Sequence, residues 1–294
     1  MAVTDQHPNL AGPLPLEVEL EGLPAWPGPP TPPLTRSPAA PPASWGRGRP
    51  GASSKAAYRR RRRAEWHAWR ASLRWRLGAA AAVGALVTGP RLAWSNGIAA
   101  AAGVALTLRF RPSAATRACL RGARGERRTA RLLAPLEREG SVILHDLAWP
   151  DAVSGPGQVG QPQPANIDHL VIGPSGVFLV DSRACRGSLR VDARGRLWHR
   201  DEPLDGVLEA LRRGAREVTV ALADRRAPVR VQPILAVHGT GLPWLGELLV
   251  GGVPVLEAAS LPRALRVPRQ ALTPEQVAHL AARARATFWP AASP

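Results

Sequence analysis

Residues 166–182 read Asn-Ile-Asp-His-Leu-Val-Ile-Gly-Pro-Ser-Gly-Val-Phe-Leu-Val-Asp-Ser. Two runs dominated by apolar residues, 167–172 and 177–180, flank a short Gly-Pro-Ser-Gly turn, which is the pattern of two neighbouring buried strands. Asp168 lies near the start of the first strand, and Asp181 directly follows the second. Because so short a turn keeps the strands side by side, we expect the two carboxylates to lie close together at one edge of a sheet.

The sequence on either side predicts an α/β domain over residues 113–294. Apolar residues at helical spacing predict helices at 126–139 and 204–222, and Thr273 before Pro274 predicts the start of a last helix. Short apolar runs bounded by turn residues predict further strands at 141–147, 188–191, 196–199, 229–237 and 250–256. The predicted fold is therefore a mixed β-sheet flanked by helices.

A third acidic residue is expected at the same sheet edge. A helix that opens at Gly125 would bring Glu126 to the edge that carries Asp168 and Asp181. Carboxylates gathered in this way hold a hard divalent cation, and magnesium is expected because no His or Cys residues are clustered. Each residue also has a simpler interpretation. In that interpretation Asp168 caps the end of the strand pair, Asp181 pairs with Arg183, and Glu126 is a favourable acid in the first turn of a helix.

Three pieces of the sequence resemble a known family. They are Gly-Ala-Arg-Gly-Glu-Arg at 122–127, the stretch at 166–182, and Gly187 shortly after it. With the order helix, three strands, helix, strand, residues 121–240 resemble the NERD family, the nuclease-related domain, within the PD-(D/E)XK nuclease class. The resemblance implies a restriction-endonuclease-like fold. The basic, Ala-rich sequence ahead of the domain is similar to that of membrane-anchored NERD proteins of actinobacteria.

The resemblance also implies roles for individual residues. Glu126, Asp168 and Asp181 fall on the acidic positions of the family pattern. Asp168 and Asp181 are then the expected ligands of Mg²⁺ or Mn²⁺, with the Ser182 carbonyl, and Glu126 binds the cation through water or orients the complex. The family places lysine where this chain has Arg183, which cannot lose a proton but can clamp a phosphate. Slow catalysis, binding without cleavage and a purely structural salt bridge all remain open.

Three segments of different composition precede the domain. Residues 1–54 are rich in proline and lack apolar periodicity, and they are predicted to be a disordered tail. Residues 55–76 form a basic segment that contains five consecutive arginines, Arg59 to Arg63. Residues 77–108 are almost wholly apolar and are predicted to form a helical hairpin, although each half is short for a bilayer span of about 20 residues. Positive charge at both outer ends predicts a transmembrane hairpin with both termini in the cytoplasm.

The hairpin leaves two interpretations of this region open. In a protein of the cell membrane, Arg59 to Arg63 contact anionic lipid, and Trp66, Trp69 and Trp75 lie at the membrane interface. Because alanine is only weakly lipophilic, a soluble cytoplasmic protein with a self-packed hairpin is the alternative. The arginine run is then the leading candidate for a nucleic-acid patch.

The charge of the chain favours a polyanionic partner. The formal net charge is +17, although Lys55 is the single lysine among 39 basic residues, so a compositional bias towards arginine explains part of the total. The leading hypothesis is a membrane-tethered, magnesium-dependent nuclease acting on DNA or RNA. The alternatives are a catalytically inactive module that binds nucleic acid or a protein at the membrane, and a soluble basic scaffold.

Three further residues are expected to have structural roles. Cys119 and Cys185 form no disulfide framework, and Cys185 is expected to be buried rather than reactive. His169 adjoins Asp168, but successive residues of a strand alternate between its two faces, so His169 is expected to point away from the site.

Overall fold

The structure is a computed structural model, and it describes residues 48–87, 109–148, 166–185, 187–224, 228–239, 242 and 247–291. All of them belong to one compact unit, Ala40–Pro294. The predicted tail up to residue 47 and the second apolar half of the predicted hairpin, 92–108, lie outside the described residues.

A seven-stranded mixed sheet forms the centre of the fold. Its strands in spatial order are β10 (Trp289–Pro290), β1 (Val142–Ala148), β2 (Ile167–Gly173), β3 (Gly176–Ala184), β7 (Val231–His238), β9 (Val253–Glu257) and β8 (Leu248–Val250). The β3, β7 and β9 strands are parallel, and the pairs on either side of them are antiparallel. A small second sheet contains β4 (Leu189–Val191), β5 (Leu197–His199) and β6 (Glu202–Pro203).

Helices cover both faces of the large sheet. The α-helices of the described residues are α1 (Ala52–Val87), which packs on α2, and α2 (Ala114–Arg138), α3 (Asp205–Leu222), α4 (Leu261–Ala264) and α5 (Pro274–Thr287). The alternation of side chains along each strand separates two apolar clusters. Val171 of β2 belongs to the cluster that contains Leu133 of α2, whereas its neighbour Leu170 belongs to the cluster that contains Leu211 of α3. The sheet is therefore buried on both faces.

The predicted order of helix, three strands, helix and strand is confirmed. The strands predicted at 188–191 and 196–199 correspond to β4 and β5, and the run at 250–256 forms β8 and β9 around a Gly-Gly turn. Thr273 caps α5 by accepting a hydrogen bond from the Gln276 N–H, and the Gln276 side chain accepts one from the Thr273 N–H. This reciprocal capping box explains why the start of the helix was readable from sequence.

The helix that carries Glu126 begins earlier than predicted. It begins at Ala114, where the Ser113 side chain accepts a hydrogen bond from the Thr116 N–H, so Glu126 lies in the middle of α2. The prediction of a helix opening at Gly125 was wrong, and so was the interpretation of Glu126 as a first-turn acid. The apolar spacing used for that prediction begins only after Gly125, whereas the first half of α2 is held by packing along α1.

The predicted disordered tail ends before residue 54. Helix α1 begins at Ala52, and the residues just ahead of it pack against the domain. Gly48 and Gly51 are both buried. The tail prediction was therefore wrong for residues 48–54, because close backbone contacts that leave no periodic pattern hold this segment in place.

Helix α1 runs through the basic segment into the first apolar half of the predicted hairpin and is described as far as Val87. The Trp66 ring stacks on Trp69 at 5.0 Å and meets Phe110 edge to face at 5.2 Å, which joins α1 to the residues before α2. Trp75 is exposed. No helix in the described part of the chain has both the length and the apolar character needed to cross a bilayer. The transmembrane hairpin therefore stays a prediction.

Candidate functional site

Strands β2 and β3 separate where the two predicted aspartates stand. Their pairing ends at His169 and Val180, one residue short of Asp168 and Asp181. Past that point the Ser182 N–H of β3 donates a hydrogen bond to the Asp168 side chain, at 2.9 Å. The divergence of the strands leaves room at this edge of the sheet for a pocket.

A pocket of about 250 Å³ occupies this edge. Its polar lining includes Asp168, Asp181 and Arg183 from the diverging strands, Asn166 just before β2, and Ser54 from the first turn of α1. Helix α3 supplies an apolar wall through Val207, Ala210, Leu211 and Gly214. The pocket therefore brings two carboxylates and a guanidinium together beside an apolar helix surface.

The surroundings of Asp168 are unfavourable for an anion. Loss of hydration raises the pKa of its carboxyl group well above the usual range, and the nearby charges of Asp181 and Glu126 raise it further. The hydrogen bond from Ser182 acts in the opposite direction. All three predicted acidic residues are thus near enough to influence one another, as the sequence led us to expect.

Glu126 approaches the site from behind the start of α1. Its carboxylate accepts hydrogen bonds from the Ser54 hydroxyl, at 2.7 Å, and from the Gly51 N–H. Burial raises the pKa of Glu126, and the hydrogen bond from Ser54 opposes that shift. Only 4% of Glu126 is exposed, and Ser54 rather than Glu126 is among the described residues that line the pocket.

Arg183 lies beside Asp181. Its Nε atom is 3.7 Å from the Asp181 Oδ2 atom, and the arginine side chain is 45% exposed. A partly exposed pair of this kind contributes only about 0–1 kcal/mol to stability. Arg183 therefore offsets part of the charge on Asp181 while its guanidinium remains accessible to an anionic ligand in the pocket.

The predicted metal ligands suit a hard cation. Within the described residues, no three side chains of Asp, Glu, His or Cys are grouped closely enough to hold a metal ion by themselves. The predicted set is smaller, Asp168 and Asp181 with the Ser182 carbonyl, and Mg²⁺ commonly combines one or two carboxylates with water. The raised pKa of Asp168 indicates negative charge that a divalent cation would offset, so the donor chemistry fits.

Hydrogen bonds behind the pocket hold Ser182. Its hydroxyl donates to the Thr129 hydroxyl at 2.8 Å, and Thr129 in turn contacts the His238 Nε2 atom at 2.7 Å. Burial lowers the pKa of His238, which favours the neutral ring in this chain of contacts. The network connects β3, α2 and β7 and so restrains the backbone that follows Asp181.

His169 and Cys185 lie outside the pocket, as predicted. The His169 Nδ1 atom is 2.8 Å from His145 Nδ1, and burial holds the pKa of His169 well below its usual range. Cys185 is also buried, and loss of hydration raises the pKa of its thiol, which disfavours the reactive thiolate. Neither side chain is among those that line the pocket.

Asp146, Ser53 and Ser54 also lie at or next to the site, and none of them was predicted from the sequence. Asp146 is buried in β1 at a positive φ of 50°, and its carboxylate accepts hydrogen bonds from the Ser53 N–H at 2.8 Å and the Ser53 hydroxyl at 2.5 Å. Asn166 donates to the same carboxylate at 3.2 Å. Gly-Ala-Ser-Ser at 51–54 is a recognisable helix start. Nothing in the sequence, however, indicates that this start meets the acidic site.

The fold and the site together define an α/β domain whose central sheet opens onto a carboxylate-lined pocket. Residues 121–238 match the family NERD, the nuclease-related domain. The match runs from within α2 to the end of β7 and contains Glu126, Asp168, Asp181 and Arg183. The resemblance drawn from the sequence is confirmed for this segment. Comparisons with curated proteins and with solved structures found no match.

Proposed function

We propose that this protein is a metal-dependent nuclease that hydrolyses phosphodiester bonds of DNA or RNA. The observation that carries the proposal is the pocket that Asp168 and Asp181 share, with Glu126 near enough to raise the pKa of Asp168, within the segment that matches the nuclease-related domain. Bound Mg²⁺ or Mn²⁺ would supply charge neutralisation and an activated water for this reaction. Asp168, Asp181 and the Ser182 carbonyl would hold the cation, and Glu126 would orient the complex.

In this proposal, Arg183 binds a phosphate group of the substrate and does not transfer protons. Its guanidinium stays protonated at any working pH, so it does not act as a general base. It lies at the pocket and has five N–H donors in a planar arrangement that suits phosphate oxygens. In this proposal Arg183 moves from Asp181 towards a bound phosphodiester and stabilises the charge that develops there.

The basic surface of α1 supports a polyanionic substrate. Arg59 to Arg63 are all exposed, and the run begins five residues after Ser54, which is about 8 Å along a helix axis. The acidic residue of α1, Glu65, accepts hydrogen bonds from Ser113 and Thr116 at the start of α2, so it is already engaged. A nucleic-acid chain that enters the pocket would therefore meet positive charge next to it.

We also propose that residues 77–108 place the protein at the cell membrane, with both termini in the cytoplasm. Trp75 and Leu77 support this, since both are exposed where α1 enters the apolar segment. Fractionation of the full chain with and without detergent tests the proposal. Recovery in the soluble fraction without detergent would contradict it and favour the soluble cytoplasmic alternative.

A second candidate function is binding of nucleic acid without cleavage. The observation that favours it is the contact between Arg183 and Asp181, because a guanidinium that stays on Asp181 competes with a cation for that carboxylate. The two candidates predict the same partner and differ in the chemistry at one pair of residues. Substitution at those two positions therefore separates them.

The test uses the full chain with plasmid DNA, single-stranded DNA and RNA, in magnesium and in manganese. Asp181→Ala removes a predicted ligand, Arg183→Lys restores the residue that the family pattern has, and Asp201→Ala is a control at an exposed acid away from the pocket. We expect metal-dependent cleavage by the wild type and Asp201→Ala, and none by Asp181→Ala.

The other outcomes have distinct meanings. Cleavage that appears only in Arg183→Lys would show that the metal site is intact and that Arg183 prevents catalysis. This result would favour binding without cleavage as the function of the wild type. Binding of nucleic acid by all variants with no cleavage by any would contradict the nuclease proposal. Loss of binding in the presence of vesicles rich in anionic lipid would assign the arginine run of α1 to the membrane.

A further inference from the structure

The start of α1 docks onto the site although it lies far ahead of the segment that matches the family. A Cβ atom on Gly48 would lie 1.7 Å from the carbonyl oxygen of His145, and one on Gly51 would lie 2.6 Å from that of Ala123. Real side chains do not tolerate such distances, so the close approach depends on glycine at both positions. The two glycines bring the next two residues against the acidic side chains of the domain.

Two consecutive serines of α1 then bind two different acids. The Ser53 N–H and hydroxyl both donate to Asp146, which caps the first turn of the helix from another part of the chain. The Ser54 hydroxyl donates to Glu126 at 2.7 Å. Ser54 is among the described residues that line the pocket, whereas Ser53 and Asp146 are not. The first contact anchors the helix, and the second adjoins the pocket.

We propose that Ser54 is a positioning residue of the candidate active site and that buried Glu126 acts on the pocket through it. The Ser54 hydroxyl donates its hydrogen bond to the Glu126 carboxylate, which leaves the lone pairs of the serine oxygen as acceptors for a water in the pocket. Glu126 alone has little access, since it is 4% exposed. The site then includes residues 48–54, and this inference rests on the proposed nuclease function.

The test measures cleavage by the full chain carrying Ser54→Ala, Ser54→Thr or Ser53→Ala. A third serine of α1, Ser72, bonds to the Trp69 carbonyl away from the pocket, so Ser72→Ala is the matched control. We expect Ser54→Ala to lower kcat about 10-fold to 100-fold through loss of orientation, with KM changed less than about twofold. Ser54→Thr keeps the hydroxyl and should restore most of kcat.

Two results would overturn the proposal. One is a kcat for Ser54→Ala equal to that of the wild type. The other is that Ser53→Ala and Ser54→Ala lose the same amount of kcat and the same amount of thermal stability. That result would mean that both serines only hold α1 in place. In support, Ser54→Ala combined with Glu126→Gln should be no slower than Glu126→Gln alone, because the two residues act as a unit.

A wild type without cleavage would defeat the proposed function but still leave the contact testable. The Tm values of Ser54→Ala, Glu126→Gln and the double variant form a cycle that does not depend on activity. A real contact predicts a non-additive shift of about 2 °C or more for a chain of this size. Strictly additive shifts would show that Ser54 and Glu126 do not interact in solution, and the inference would fail on its own.

Discussion

Asp168 and Asp181 lie where β2 and β3 separate, with buried Glu126 close by, and each of the three acids has one compensating contact. Asp168 receives the Ser182 N–H, Asp181 faces the Arg183 guanidinium, and Glu126 is held by Ser54. None of these contacts removes the repulsion among the acids, which together with burial keeps the pKa of Asp168 high. Such repulsion lowers the stability of the metal-free protein, and a bound cation, as proposed, would relieve it.

Asp168→Asn should therefore stabilise the protein when no metal is present. An amide oxygen can still accept the Ser182 N–H, and an amide N–H can donate to Asp181 instead of repelling it. We expect thermal unfolding at pH 7.5 in a chelator to show a Tm roughly 3 °C or more above that of the wild type. The added stabilisation by Mg²⁺ or Mn²⁺ should be lost in the same variant.

The stabilisation expected from Asp168→Asn depends on pH, and the raised pKa of Asp168 gives its direction. An acid whose pKa is raised on folding binds more protons in the folded state, so its presence lowers stability progressively as the pH rises above the usual value of 3.8. The gain from Asp168→Asn should therefore be largest near neutral pH and shrink as the pH approaches that value. Asp201→Asn, at an exposed position, should change Tm little at either pH. A destabilised Asp168→Asn protein would contradict this account of the site.

At the scale of elements, the first turn of α1 reaches the pocket, and the part of α1 up to Glu65 lies along α2. Contacts at two places fix this arrangement: residues 48–54 dock near Glu126, and Glu65 bonds to Ser113 and Thr116 at the other end of the helix pair. The two helices are therefore antiparallel. The run of arginines lies between the two contact points and is exposed.

Gly51→Ala tests whether the docking of α1 depends on close backbone contact. Gly51 has φ of 72° and a Cβ there would lie 2.6 Å from the Ala123 oxygen, whereas Gly195 has φ of 73° and nothing within 4 Å of a Cβ. Gly195→Ala should lower the free energy of unfolding by about 1 kcal/mol, which is the cost of placing alanine in a left-handed backbone conformation. We expect Gly51→Ala to lower the free energy of unfolding further and to increase amide hydrogen exchange at the start of α1. Equal effects of the two substitutions would mean that the close contact is absent in solution.

At the scale of the whole molecule, predictions from the sequence succeeded where local pattern decides structure. The strands around Asp168 and Asp181 could be predicted because two apolar runs of strand length flank a Gly-Pro-Ser-Gly turn, which is a local signal of paired strands. The start of α2 and the docking of residues 48–54 were not predicted. They depend on contacts between residues far apart in the sequence, such as Glu65 with Ser113 and Ser54 with Glu126, for which neither composition nor spacing leaves a signal.

The region after residue 240 shows the same dependence on distant contacts. The family match ends at residue 238, yet β9 pairs with β7 inside the sheet and β10 pairs with β1 at its edge. Val255, Leu256 and Leu261 are almost fully buried, as are Leu280 and Phe288. Burial of each such side chain is worth about 1.5–3 kcal/mol, so together they approach the whole stability of a domain.

A chain that ends at residue 240 should therefore fail to fold, even though it contains every predicted site residue. We expect it to lack a cooperative thermal transition by circular dichroism and to be degraded rapidly by a protease. A chain that ends at residue 291 keeps the Ala291 N–H bond to the Asp146 carbonyl and should unfold like the full chain. If the shorter chain unfolds cooperatively, then β7 can serve as an edge strand, and the C-terminal region is an addition to the nuclease-related domain rather than part of its core.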